Sequence, residues 1–370
     1  MAPSKEAVLK QFGEFVHGLK KTDHIALLFD SDPDGMCSAV IASKAIEQLT
    51  GKRPEMRIPG MYGMDFFGDR VRAEFRKLGI NKLMVFDLSV DSDPIVSTTL
   101  PLLERQLDSI ALFDHHPVGA DLSSDKTLVV KSQFVSSIDP AKYCTSKLVF
   151  DSFSPYTDVS DSDWVAGAGI LADVGYPQWT EFVDGVCKKY NLNNVRTDRS
   201  YGSDLGKVVS LIMDTFTVEP KNALKLFEQI YAAKKPQDLY NSEFMEYRAL
   251  IEAETQYWLD QFDQKAERFP NKGLTFFEIS PKFKIKSFIA NRISFQLPQD
   301  QTVIIIQNTH SGIVSFSARR QDGKKNLNHI VQKAVEGIPT ATAGGHVQAS
   351  AGMVPEKDWP LVKQRLIALF

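Results

Sequence analysis

The chain has 370 residues, 43% of them hydrophobic, and a formal net charge of −3. That length exceeds one ordinary domain and that composition supplies real cores, which excludes a disordered, fibrous or miniature disulfide-stapled protein. Three widely spaced cysteines (Cys37, Cys144, Cys187) without a CxxC pair argue against a disulfide framework and a zinc knuckle, so a reducing, cytoplasmic setting is expected.

The amino-terminal MAPSKEAVLKQFGEFVHGLKK is an amphipathic helix carrying acids and bases, unlike a signal peptide, and no later run approaches about 18 apolar residues, so no membrane span is expected. Over 23–177 short apolar runs alternate with amphipathic stretches: IALLF, the helix SAVIASKAIEQLT, LMVF, a helix over 99–107, IALF, and later GILA. Short apolar runs bounded by polar turns predict buried parallel strands, hence an α/β fold with a doubly wound, mostly parallel sheet. From 178 to 269 the pattern is mostly helical, with one long helix over 241–268 opened by an Asn or Ser cap. Pro270-Asn271-Lys272-Gly273 is a turn, and beyond it the β-rich runs LTFFEI, SFIANRISF, TVIIIQ and GIVSFSAR precede a helix, a glycine pair and a final helix. The expected organisation is an α/β domain (1–180), a helical connector (181–270) and a smaller α/β domain (271–370). Residues 271–370 hold 13 Lys and Arg against 6 Asp and Glu, about +7, which leaves about −10 on the rest. A basic module beside an acidic one suits a polyanionic substrate.

The four apolar runs each stop on an aspartate: Asp30, Asp87, Asp114 and Asp173. Ligands of open α/β sheets collect beyond the carboxyl ends of the strands, so these carboxylates are expected at one rim. In DSDPDG, Asp30, Asp32 and Asp34 alternate; period two projects them to one side, with Pro33 and Gly35 setting the turn. Convergent carboxylates repel one another unless a cation neutralises them. One at a time, an acidic turn or a helix cap explains each of these aspartates. Asp114-His115-His116 is harder to explain so, because two adjacent histidines after a buried strand leave at least one imidazole on the rim, where it can bind a metal while its neighbour donates to a phosphate oxygen. Oxygen ligands with one or two histidines suit Mn²⁺ or Mg²⁺, and two such ions favour phosphoryl chemistry. Near the end, Gly344-Gly345-His346 can bring backbone N–H groups and an imidazole close to an anion, and Arg319 closes a strand with a fork suited to phosphate. A tight turn and a solvated strand end are the plain alternatives there.

Taken together, DSDPDG with Ser38, Asp87, Asp114-His115-His116 and Asp173 resemble the four motifs of the DHH phosphoesterase superfamily, and GGHVQASAG resembles the signature of the DHH-associated C-terminal domain. The resemblance spans roughly 23–177 and 272–370, and includes RecJ exonucleases, NrnA-like nanoRNases that also act on pAp, cyclic dinucleotide phosphodiesterases and archaeal RecJ-like nucleases. It implies two Mn²⁺ ions, with Mg²⁺ as the alternative: Asp32 on one, Asp34 on the other, Asp87 bridging, and His115 with Asp173 completing the second site. His116 would face the scissile phosphate, Asp114 would orient the histidine pair, and Arg319, Gly344, Gly345 and His346 would hold a substrate phosphate. The NrnA-like branch has a histidine where this chain has Leu28, whereas RecJ has an aspartate at the position of Asp30, which makes Asp30 a further ligand candidate. The expected activity is an exonuclease or phosphodiesterase releasing mononucleotides from short or single-stranded RNA or DNA, with a homodimer compatible. A small-molecule phosphatase acting on pAp, cyclic dinucleotides or polyphosphate, and an inactive nucleic-acid-binding scaffold, remain open beside it.

Overall fold

The computed structural model describes every residue except 1–2, 61–64, 194–202 and 309–311. The chain divides into two compact units, 1–245 and 246–370, a division inside the stretch expected as a connector. Among the described residues no helix is long and apolar enough to cross a membrane.

The first unit holds α1 (Lys5–His17), β1 (Ile25–Asp30), α2 (Pro33–Thr50), β2 (Met56–Gly60), α3 (Asp69–Leu78), β3 (Lys82–Phe86), α4 (Val96–Glu104), β4 (Ser109–Asp114), β5 (Thr127–Lys131), α5 (Ser132–Val135), α6 (Thr145–Phe153), α7 (Asp163–Ala172), α8 (Thr180–Lys189), α9 (Asp204–Val218) and α10 (Ala223–Ala232). Its five strands form an all-parallel sheet in the order β2-β1-β3-β4-β5. Strands sandwiched between helices bury both faces, which is why β1, β3 and β4 are continuous apolar runs rather than alternating ones. α2 is buried on all sides from Pro33 to Ile46, lying between the sheet and α6, α7 and α9.

Three expectations fail. GILA before Asp173 is the last turn of α7, not a strand. Residues Trp164–Leu171 of that helix are all buried, so no period betrays it, and its small residues let it approach α2 and α6 closely. Gly169 has no room for a Cβ, which would sit 1.9 Å from Ser146 Oγ and 2.7 Å from Asp34 Oδ1. The predicted long helix over 241–268 is instead α11 (Glu246–Leu259), the short α12 (Phe262–Lys265) and β6 (Glu267–Phe269), because 267–269 pairs antiparallel with β7 (Leu274–Ile279). The run SFIANRISF is not a strand but α13 (Lys286–Gln296), which buries Ile289, Ala290, Ile293 and Ser294 at helical spacing.

The second unit continues with β8 (Thr302–Asn308), β9 (Ile313–Arg319), α14 (Leu327–Val335), β10 (Thr342–Gly345), β11 (Ala349–Pro355) and α15 (Trp359–Leu369). The sheet order is β10-β11-β9-β8-β7-β6, mixed, with β7–β8 as its parallel pair. α14 and α15 cover one face through Leu327, Val331, Val362 and Leu366, which pack with Phe316, Ile304 and Val354.

Candidate metal centre

The strand order reverses between β1 and β3, and a parallel sheet opens its ligand crevice at such a point. Asp30 ends β1 and Asp87 follows β3, so both flank it. The DSDPDG turn is also the start of α2, so period two does not apply beyond Asp30. Asp32 is the N-cap, its Oδ1 accepting from the Gly35 N–H at 2.8 Å, and Asp34 lies buried in the first helical turn. Capping and ligation are therefore not exclusive readings of Asp32. Leu28 faces the hydrophobic core.

Asp34 is held from outside the sheet. Its two oxygens accept the Thr145 N–H (2.6 Å) and the Ser146 N–H (2.9 Å) at the start of α6, where helix N–H groups favour an anion. Thr145 Oγ1 also donates to Asp87 Oδ1 at 2.8 Å. Asp87 caps no helix; it takes a left-handed conformation (φ 61°), with its N–H donating to the Phe113 carbonyl at 2.8 Å. Aspartate tolerates that region better than most residues, and such strain clusters at functional sites.

His115 Nδ1 lies 3.0 Å from the Pro140 carbonyl, so this nitrogen carries the proton and donates. The Nε2 lone pair then faces Asp173 Oδ2 (3.1 Å) and Asp87 Oδ1 (3.5 Å), the orientation in which a neutral imidazole ligates a cation. Asp173 Oδ2 is buried without a hydrogen-bond partner. His116 is turned the other way: its Nδ1 donates to Asp114 Oδ1 at 2.7 Å, and its side chain is 41% exposed against 13% for His115. Asp114 Oδ2 accepts from Lys131 Nζ at 2.7 Å, and this lysine, 2% exposed, also contacts Asp91 Oδ2 at 2.9 Å.

Ligand atoms gather into three overlapping groups, each within 4.8 Å: Asp30, Asp32 and Asp87; Asp34, His115 and Asp173; Asp87, His115 and His116. Burial, then the charges of Asp30 and Asp34, push the Asp32 carboxyl up to about 7. Burial, then Asp34 and Asp32, push Asp173 up to about 9, and burial with the same neighbours carries Asp87 well above the carboxylate range. Asp30 is raised too, chiefly by burial. Asp114 differs: burial would raise it, but the hydrogen bond from His116 and the charges of His116 and Lys131 hold it down to about 2. That hydrogen bond in turn raises His116. Carboxylates that hold protons for want of positive charge, with an orphaned oxygen and a correctly turned imidazole, fit a divalent cation of the Mn²⁺ or Mg²⁺ type.

In the second unit, strand register brings the other predicted residues together. Arg319 pairs with Ala349 across β9–β11, and Gly345 pairs with Ser350 across β10–β11. His346 closes the hairpin, donating its N–H to the Ala349 carbonyl at 2.7 Å. Gly345 (φ 143°) is obligatory, since a Cβ there would lie 2.3 Å from the Ala349 carbonyl oxygen, while Gly344 faces open space. Arg319 Nε donates to Asn291 Oδ1 at 2.6 Å.

No protein-family model and no curated protein sequence matches the chain. Solved structures do. A DHH-domain protein described as a member of the S1p family of ribosomal proteins aligns with TM-score 0.72 at 18% identity, over 98% of this chain and 90% of its own. RecJ of Thermus thermophilus, in complex with Mn²⁺, aligns with TM-score 0.69 at 15% identity over 98% of this chain. This chain spans about half of that RecJ, 54% of its length. An exonuclease RecJ bound to manganese aligns with TM-score 0.65 at 15% identity, over 97% of this chain and 93% of its own. The chain has the DHH-superfamily fold.

Within this DHH fold several residues escaped the sequence reading. Thr145 and Ser146 act through the start of α6, whose docking on Asp34 has no sequence signature. Pro140 acts through its carbonyl alone. Lys131 was detectable: TLVVK is a fifth apolar run halted by a charge, here of opposite sign.

Proposed function

We propose that the protein is a metal-dependent phosphoesterase that hydrolyses phosphodiester bonds of short or single-stranded RNA or DNA to mononucleotides with two divalent ions. The observation that carries this reading is the grouping of seven buried or half-buried residues into three donor sets linked through Asp87 and His115. Asp30, Asp32 and Asp87 would hold one ion; Asp34, His115 and Asp173 the other; Asp87 lies between. Two Mn²⁺ or Mg²⁺ ions bound there would activate water and neutralise charge developing on a phosphoryl group.

The chain's own residues supply the rest. His115 keeps its proton on Nδ1 through the Pro140 carbonyl, which reserves Nε2 as a ligand. His116 hydrogen-bonds Asp114 through Nδ1, so its Nε2 is the nitrogen left to donate to a phosphate or leaving oxygen. Lys131 holds Asp114, and with it the orientation of His116. Arg319 with the Gly344-Gly345-His346 hairpin would grip a terminal or flanking phosphate. An inactive scaffold is disfavoured because every ligand candidate is present and grouped.

The test is hydrolysis of a dinucleotide, a long single strand and pAp in Mn²⁺, with product analysis on end-labelled oligomers of graded length. Cleavage of pAp alone would replace the nuclease reading by the small-molecule one. Near-normal Mn²⁺-dependent activity of His115→Ala would refute the metal assignment.

A further inference from the structure

The aromatic rings of the second unit's core, such as Phe276, Phe277 and Phe316, are buried, but Phe295 on α13 is 77% exposed. Its position is not arbitrary. Phe295 follows Asn291 by one helical turn, so the two exposed side chains are surface neighbours. Asn291 is the residue that accepts from Arg319 Nε at 2.6 Å. One turn earlier, Ser287 Oγ and Ser317 Oγ, 3.2 Å apart, pin α13 to β9. The helix therefore sets an exposed aromatic ring one turn beyond the residue that holds the arginine.

Among the described residues that arginine has no acidic partner: Arg320 is paired with Asp322, whereas the hydrogen bonds of Arg319 go to neutral acceptors, Asn291 Oδ1 and the Ala318 carbonyl. Lys286, in the first turn of α13, interacts with the like charges of Arg319 and Lys284 and has neither hydrogen bond nor ion pair among the described residues. Two adjacent cations without an acid ask for an anion, and an aromatic ring one turn away asks for a flat apolar group. An unpaired nucleotide offers both, phosphate and base, in one unit.

Resting on the phosphodiesterase reading above, we propose that Phe295 is a stacking platform for an unpaired base of the substrate, beside a phosphate held by Arg319 and Lys286. The substrate class this selects is single-stranded oligonucleotide rather than polyphosphate or another base-free phosphoester.

The test compares binding of a short phosphorothioate oligonucleotide, which resists cleavage, with binding of its abasic counterpart to the full chain. Phe295→Ala should weaken the first by about tenfold and leave the second unchanged. Phe295→Tyr should restore binding. Unchanged affinity in Phe295→Ala, an equal loss for both ligands, or a change confined to oligomeric state in sedimentation would each overturn the proposal. Hydrolysis of bis(p-nitrophenyl) phosphate in Mn²⁺, by the unaltered chain and by Phe295→Ala, tests the parent reading separately. If the unaltered chain fails there, the phosphoesterase reading falls, and the two binding measurements still decide the role of Phe295.

Discussion

At the rim of the parallel sheet, Asp30, Asp32, Asp87 and Asp173 sit desolvated together, and burial raises every one of them. Beside the mixed sheet of the second unit, Arg319 and Lys286 have no acidic partner among the described residues, and burial lowers both, Lys286 to about 8. One physical cause acts with opposite sign in the two units. Each arrangement is unfavourable by itself and would become favourable with a ligand of opposite charge, a cation in one case and, on the reading proposed above, a phosphate in the other. Lys131, fully buried yet matched by Asp114 and Asp91, shows what charge looks like when the fold supplies its own partner.

The largest expected effect breaks the acidic side: Asp87→Ala should lower Mn²⁺-dependent hydrolysis by about 10³-fold or more, measured as kcat, with the fold retained by circular dichroism. Next comes the matched charge. Lys131→Met removes the buried cation shared by Asp114 and Asp91 and should lower stability by about 3–5 kcal/mol in urea denaturation. A negligible loss would mean that Asp114 and Asp91 are satisfied without it. On the basic side, the proposed phosphate role of Arg319 predicts that Arg319→Ala raises KM by about 10- to 100-fold while changing kcat far less, because charge-assisted hydrogen bonds to substrate would be lost.

A smaller effect separates the two sides by pH. Asp32 and Asp173 have folded pKa values raised above their unfolded ones, so their contribution to stability is fully present below about pH 4 and is lost as pH rises through about 7 and then about 9. Metal-free protein should therefore lose Tm between about pH 5 and pH 8, by roughly 2–4 °C for each kcal/mol. Mn²⁺ should restore more of that loss at the higher pH. A Tm independent of pH and metal in scanning fluorimetry would contradict the desolvated-carboxylate account. Smallest is Val174→Gly. Val174, exposed at the end of α7, holds φ 55°, a conformation β-branched residues resist, and glycine there should stabilise by about 0.5–1 kcal/mol.

What could be foreseen from the amino acids follows the range of the interactions. Aspartates at the ends of apolar runs mark the rim because a buried strand must stop where a charge appears, and Asp30, Asp87 and Asp114 sit where that logic puts them. Asp173 reaches the same site from a helix: a fully buried run carries no period, so the residue was identified by the wrong element. The run SFIANRISF misled for a related reason, since Ile285, Ile289 and Ile293 sit at helical spacing among β-branched and aromatic residues that favour strands. Donors such as Thr145 and Ser146 lie beyond any local pattern, because their role exists only when α6 packs over a turn formed far earlier in the chain.

That distance has a kinetic side. The Thr145 and Ser146 N–H groups that clamp Asp34 lie 111 and 112 positions after it, and the Thr145 hydroxyl on Asp87 lies 58 positions later. Contacts of such separation form late, after the entropy of closing the intervening chain has been overcome. The five strands can assemble before the centre does. A chain still lacking α6 would leave Asp34 and Asp87 unclamped, so competence to capture a cation is expected only as the first unit finishes folding, and uptake of metal at the proposed centre would time that final step.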